Sequence, residues 1–178
     1  MNIKGIEMNK HVDFSNEDIV IIRHSQLKQF VFQSASNTDN HKYRFCMHDS
    51  PNNALQEMFI VRSKGDYCRP DRHSQISESH MLMCGEEAVI LFDDEGQIQD
   101  IIFLSKEKDV LAYRINAPVY HMTVTLSDWA IDYEVKPGPF TQDMNEFPDW
   151  APKNDEHEKI EEFMGYITRE IEKWKRGR

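Results

Sequence analysis

Between Gly65 and Gly85 the chain reads GDYCRPDRHSQISESHMLMCG, and three of its side chains are spaced for chemistry. Asp71 and His73 stand two apart, so in an extended segment they leave on one face and converge. Ser74–Ser77 is polar and turn-like, which lets Glu78 return on a neighbouring strand to the same point. His121 supplies a fourth group further along. Asp71, His73, Glu78 and His121 make the inventory of a single metal centre with mixed nitrogen and oxygen ligands. His80, two residues beyond Glu78, shares its face; the expectation for it is a hydrogen-bonded histidine that is not a ligand.

Charged residues in strand-like segments surround this set. Tyr67 and Arg69 have the parity of Asp71 and His73, so Arg69 is expected to point into the same mouth. Glu134 and Lys136 share a face opposite Ile131, Tyr133 and Val135. Such residues serve either as ion-pair staples or as working groups. In the second reading Arg69 and Arg44 bind an anionic group of a small-molecule substrate, and Glu134, Lys136 and Tyr67 are the catalytic residues.

The rest of the chain must hold these groups in place. At 178 residues, 39% hydrophobic and 11% aromatic, the sequence suits one soluble domain with a real core. A formal net charge of −10 argues against a nucleic-acid partner and against an anionic membrane surface. No run of about 18 apolar residues is present, so no transmembrane helix is expected. The opening MNIKGIEMNK lacks the apolar core of a secretory signal. Cys46, Cys68 and Cys84 are odd in number and irregularly spaced, which suits neither a disulfide framework nor a zinc site. A reduced, cytoplasmic setting is the simplest expectation.

Residues 1–16 read as a flexible lead-in, 17–152 as the main domain with a C-terminal strap, and 153–178 as a helix. Ile19–Ile22 suggests an edge strand. Ser25 can cap a helix carrying Leu27, Phe30, Val31 and Ala35 on one face, with Ser34–His41 as loop. From Tyr43 the period is two, and about eight short strands follow at spacings of roughly 8–12 residues, including one over Tyr67–His73. Asp93–Gly96 is a hairpin turn. The pattern predicts an all-β sandwich or barrel. The strap holds Phe140, Phe147 and Trp150. Asp155 and Glu158 then open a helix with Ile160, Phe163, Met164, Ile167, Ile171 and Trp174 on one face, expected to pack on the core or between two copies.

The spacing Gly65-x5-Asp71-x-His73-x4-Glu78-x6-Gly85 resembles the first cupin motif, with Asp71 at the place of its first histidine. Asn116–His121 keeps only the histidine of the second motif. The chain is more specifically similar to the WbuC family of cupin-fold metalloproteins. The resemblance is carried by Tyr67-Cys-Arg-Pro-Asp-Arg-His73, Leu91-Phe-Asp-Asp-Glu-Gly96, Tyr120-His121, Glu134-Val-Lys-Pro-Gly-Pro-Phe140 and Trp150-Ala-Pro152. It spans about residues 18 to 152.

That resemblance implies an all-β double-stranded β-helix (cupin) barrel with a short N-terminal helix and a C-terminal amphipathic helix. It also implies one divalent metal held by His73, Glu78 and His121, with Asp71 in the histidine's place. A carboxylate there shifts preference toward Mn or Fe, with Zn still accommodated. The family is associated with surface polysaccharide (O-antigen) gene clusters. The expectation is therefore isomerase- or epimerase-type chemistry on an anionic carbohydrate or nucleotide-sugar-like molecule, in a monomer or homodimer. A metal-dependent oxygenase and a non-catalytic sugar-binding or regulatory module are the alternatives.

Overall fold

The computed structural model describes residues 11–37, 41–107, 110–116 and 118–177. Strands β1 (Val12–Phe14), β2 (Lys42–Cys46), β3 (Leu55–Ser63), β4 (Arg72–His73), β5 (Glu78–Cys84), β6 (Glu86–Phe92), β7 (Ile98–Ser105), β8 (Ala112–Ile115), β9 (Tyr120–Thr125), β10 (Trp129–Pro137) and β11 (Asn145–Glu146) succeed one another along the chain. Helices α1 (His24–Ser36) and α2 (His157–Arg176) flank them. One sheet runs β1-β2-β3-β10-β5-β8, a second β7-β6-β9, and β11 pairs with β4.

The two-residue period of the strands decides what each face meets. On β10, Ile131 and Tyr133 pack outward with Phe59, Val61 and Tyr43 against Phe30 of α1. Asp132 and Glu134 therefore point the other way, and both are buried. On the smaller sheet, Ala88, Ile90 and Phe92 of β6 and Tyr120, Met122 and Val124 of β9 meet Ile167 and Ile171 of α2. Glu87 and Val89, and likewise His121 and Thr123, turn inward. The fold is thus a barrel of two sheets with a helix outside each. Leu82, Val89, Leu104, Ile115 and Ala130 pack together in its interior. Burying each Val, Leu or Ile side chain of this set contributes about 1.5–3 kcal/mol.

The C-terminal helix is accordingly part of the core. Its acidic first turn and the basic Lys173, Lys175 and Arg176 of its last turn suit the helix dipole. The strap reaches back over the barrel: Trp150 packs on Phe92, Tyr120 and Phe163. Gly65 and Gly85, the ends of the motif, have φ of +93° and +86°, a region costly to any residue with a Cβ. At Gly85 a Cβ would also collide with the backbone of Trp129 and Ala130. No disulfide joins the free Cys46, Cys68 and Cys84. Among the described residues no helix is long and apolar enough to cross a membrane.

Some local expectations are corrected. Residues 1–10 of the lead-in lie outside the described residues, but Val12–Phe14 forms a strand parallel to β2. Ile19–Ile22 is not a strand; Ile19 and Ile21 are exposed and have no sheet to join. The first helix runs on to Ser36 because Ser34 is buried, its hydroxyl donating to the His41 carbonyl at 2.7 Å. Ala35 is exposed, and Ser25 does not cap the helix. The Gln26 side chain accepts the Arg23 backbone N–H there at 2.8 Å. Tyr67–Pro70 is irregular, and regular pairing begins only at Asp71, whose backbone exchanges two hydrogen bonds with His121. Pro70 has no N–H to offer a ladder, which forbids a continuous strand from Tyr67 to His73.

Candidate functional site

Glu78 opens β5 and is the hub of the site. Its carboxylate is met by three imidazoles: His121 Nε2 lies 2.6 Å from Oε1, while His73 Nε2 and His80 Nε2 lie 3.1 and 3.5 Å from Oε2. All four residues are buried. Each ring is pinned from behind through Nδ1, to the Met144 carbonyl for His73, the Val119 carbonyl for His121 and Asp132 Oδ2 for His80. Those distances are 3.2, 3.0 and 2.9 Å. Carbonyls and carboxylates only accept, so each Nδ1 must carry a proton.

Every Nε2 then confronts a second acceptor, Glu78. The rings are either positively charged or share a cation with that carboxylate. Charging all three would gather three buried positive charges around Glu78, with Asp132 answering only His80. A single divalent cation among the lone pairs resolves the conflict, and rings held through Nδ1 are the usual arrangement around a metal. Glu78 Oε1, His80 Nε2 and Glu134 Oε1 are buried without hydrogen-bond partners despite the close neighbours of each. Among the described residues, Glu78, His80 and Glu134 offer ligand atoms that all lie within 4.8 Å of one another. The donor set fits a hard or borderline divalent ion such as Mn, Fe or Zn.

Electrostatics follow from the same contacts. Burial opposes the charge on Glu78, but His121, His73 and His80 outweigh it and hold the carboxyl far below its usual range. Burial likewise opposes protonation of His80, yet Asp132 and then Glu78 push it up to about 10. Asp132 is itself held by Arg62, which also lies 3.5 Å from Glu87. Lys136 Nζ sits 2.7 Å from Glu134. Against the effect of burial, Lys136 and then His80 keep the Glu134 carboxyl down at about 2.

A cavity of about 780 Å³ opens over this cluster and is lined by all the expected site residues: Arg44, Tyr67, Arg69, Asp71, His73, Glu78, His121, Glu134 and Lys136. They do not converge equally. His73, Glu78 and His121 touch as the motif suggests. Asp71 instead accepts from Asn145 Nδ2 at 2.6 Å, and burial pushes its carboxyl up. The Tyr67 hydroxyl donates to the Pro152 carbonyl at 2.8 Å and ties down the strap. Arg69 lies 4.8 Å over the Phe147 ring and donates to the Pro148 carbonyl at 3.2 Å. His80, expected as a bystander, is a full member of the cluster. Asp132 and Arg62 were not singled out from sequence, although Asp132 has the parity of Glu134 on β10 and so carries the signal that could have found it.

A family profile described as a domain of unknown function (DUF6016) matches residues 22–104. No curated protein matches the chain. Among solved structures, protein SO0799 from Shewanella oneidensis is similar with a TM-score of 0.54 at 9% identity, over 71% of this chain and 85% of that one. CapF from Staphylococcus aureus, described as a capsular polysaccharide assembling protein, is similar with a TM-score of 0.51 at 13% identity, over 63% of this chain and 32% of CapF. CapF with the inhibitor 3-isopropenyl-tropolone gives 0.53 at 15%, over 63% of this chain. The chain thus spans about a third of CapF. At such identities the likeness establishes the fold alone, a barrel consistent with the one the cupin resemblance implies.

Proposed function

We propose that this chain is a metal-dependent cupin enzyme that moves a proton on a carbohydrate-type small molecule, as an isomerase or epimerase does. The observation that carries the proposal is the convergence of three Nδ1-pinned imidazoles on Glu78. In this reading His73, Glu78, His80 and His121 hold the ion, with Glu134 adjacent and Asp71 fixed behind them by Asn145. The ion, when bound, supplies a Lewis acid that polarises a substrate carbonyl or hydroxyl. Glu134, paired with Lys136, removes a proton from the carbon beside that group and returns it at a new face or position. The reaction needs no net oxidant or co-substrate. Arg69 and Arg44 bind the anionic part of the substrate and fix its orientation. Tyr67 holds the strap that walls the cavity.

The WbuC resemblance supports His73, Glu78 and His121 as ligands, though not His80, and a role in surface polysaccharide biosynthesis, with a cytoplasmic location as part of the same proposal. The fold shared with CapF is compatible with that role. Metal analysis of protein purified without a histidine tag tests the reading. About one equivalent of Mn, Fe or Zn per chain is expected, with Glu78→Ala reducing it to background. Wild-type protein that carries and takes up no divalent ion would remove the proposal.

A further inference from the structure

The groups lining the cavity fall into two classes. Glu78 has its imidazoles, Glu134 has Lys136 and Asp71 has Asn145. Asp66 makes no such contact, although the charge of Arg62 reaches it. It is 5% exposed, it lines the cavity, and both of its carboxylate oxygens are buried without a hydrogen-bond partner. Leaving a buried carboxylate unsatisfied is among the costlier choices a fold makes, and the loop that holds it is tethered, with the Asp66 N–H donating to the Ser63 carbonyl. The same cavity contains complementary donors without a hydrogen-bond partner, the buried Nε atoms of Arg44, Arg62 and Arg69; the Arg62 guanidinium is already engaged by Asp132.

Arg44 lies on β2 opposite Ile60 of β3, Asp66 and Arg69 lie in the segment that leaves β3, and all three line the same cavity. The cavity therefore presents a double acceptor without a hydrogen bond together with two cationic side chains. An anion alone would satisfy the arginines and be repelled by Asp66. A neutral polyol would satisfy Asp66 and leave the two cationic charges unanswered.

We infer that Asp66, with Arg44 and Arg69, forms a substrate subsite for a phosphorylated sugar, in which the carboxylate of Asp66 accepts two neighbouring hydroxyls and the arginines take the phosphate. This rests on the cavity being the substrate site proposed above, and it adds the substrate's chemical class. A carboxylate with both oxygens free matches a vicinal diol, and guanidinium groups match phosphate oxygens.

The test is calorimetric titration of metal-replete full-length protein with glucose 1-phosphate, glucose 6-phosphate, mannose 6-phosphate and UDP-glucose, beside inorganic phosphate and the free sugars. At least one sugar phosphate is expected to bind at least tenfold more tightly than phosphate or its free sugar. Asp66→Asn should weaken that ligand at least tenfold while leaving inorganic phosphate within twofold; Arg44→Gln should weaken both. Because an unsatisfied charge is removed, Asp66→Asn and Asp66→Ser should melt at or above the wild-type temperature. Binding of a sugar phosphate that Asp66→Asn leaves unchanged, or weakens equally with phosphate, overturns the inference and spares the proposed function. A lower melting temperature in both Asp66 variants makes Asp66 a structural group and also overturns it. No binding of any probe to wild-type protein removes the subsite, while the metal content tests the centre separately.

Discussion

On β5, Leu82 and Glu78 point to the same side of one strand, four residues apart, yet Leu82 ends in an apolar cluster and Glu78 among three imidazoles. β10 repeats the contrast, with Ala130 in the apolar cluster and Asp132 and Glu134 in the charged one. The apolar cluster follows the ordinary logic of a core, where close packing of aliphatic groups supplies stability. The charged one buries Arg62, Asp132, Glu87, His80, Glu78 and Glu134 beside it, with Leu82 paired to Asp132, Ala130 to Arg62, Leu104 to Glu87 and Ile115 to Glu78. Removing charges from water costs about as much as their pairing returns, so such a network is poor evidence of stabilisation. The contrast teaches that the apolar cluster holds the barrel shut while the charged one is retained for what it binds.

Four changes break or sharpen that division. The largest effect is expected for Arg62→Met, which leaves Asp132 buried without its cation and should cost about 3–5 kcal/mol in denaturant unfolding. A loss below about 1 kcal/mol would mean that the network is solvated and the division false. Leu82→Ala should cost about 2–5 kcal/mol by opening a cavity in the apolar cluster, with metal content unchanged. Asp132→Ala, which deprives His80 of the acceptor that fixes its ring, should weaken metal binding about 10–100-fold by isothermal titration. In a His80→Ala background the same change should do nothing further.

The smallest effect is a pH slope. Burial, and then the charge of Asp132, pushes the Glu87 carboxyl up to about 8 from an ordinary 4.5, with Arg62 opposing. The folded state therefore keeps a proton that the unfolded chain releases. The resulting contribution to stability is complete below about 4.5 and fades as pH rises toward about 8. Glu87→Gln should remove that fall. Across this window its melting temperature should decline less steeply than wild type, and parallel curves would show that Glu87 is ionised throughout.

Much of the barrel was legible because a half-buried strand writes its period into the sequence. Tyr43–Cys46 and Ile131–Val135 alternate, Ala88–Phe92 is a continuous apolar run buried on both faces, and the structure pairs all three stretches in its sheets. The stretch at Tyr67–Pro70 misled for a local reason: the parity argument assumed a strand that Pro70 cannot continue. Val12–Phe14 escaped notice because three residues are too few to show a period, and only β2 beside them makes them a strand.

The sequence by itself determined the cupin-spaced motif, the glycines at its ends, the inward parity of Glu78, Glu134 and Lys136, and the place of His121. Spacing along one chain carries that information because alternate residues on a strand share a face. Only the tertiary structure decided which same-face groups touch. It brought His80 to Glu78 and Asp132 behind His80, gave Asp71 to Asn145, and left the Asp66 carboxylate without a hydrogen bond in the cavity. Asn145 is 74 residues from Asp71 and Asp132 is 52 from His80. Such partners are chosen by the curvature and register of the closed barrel, which no local period records.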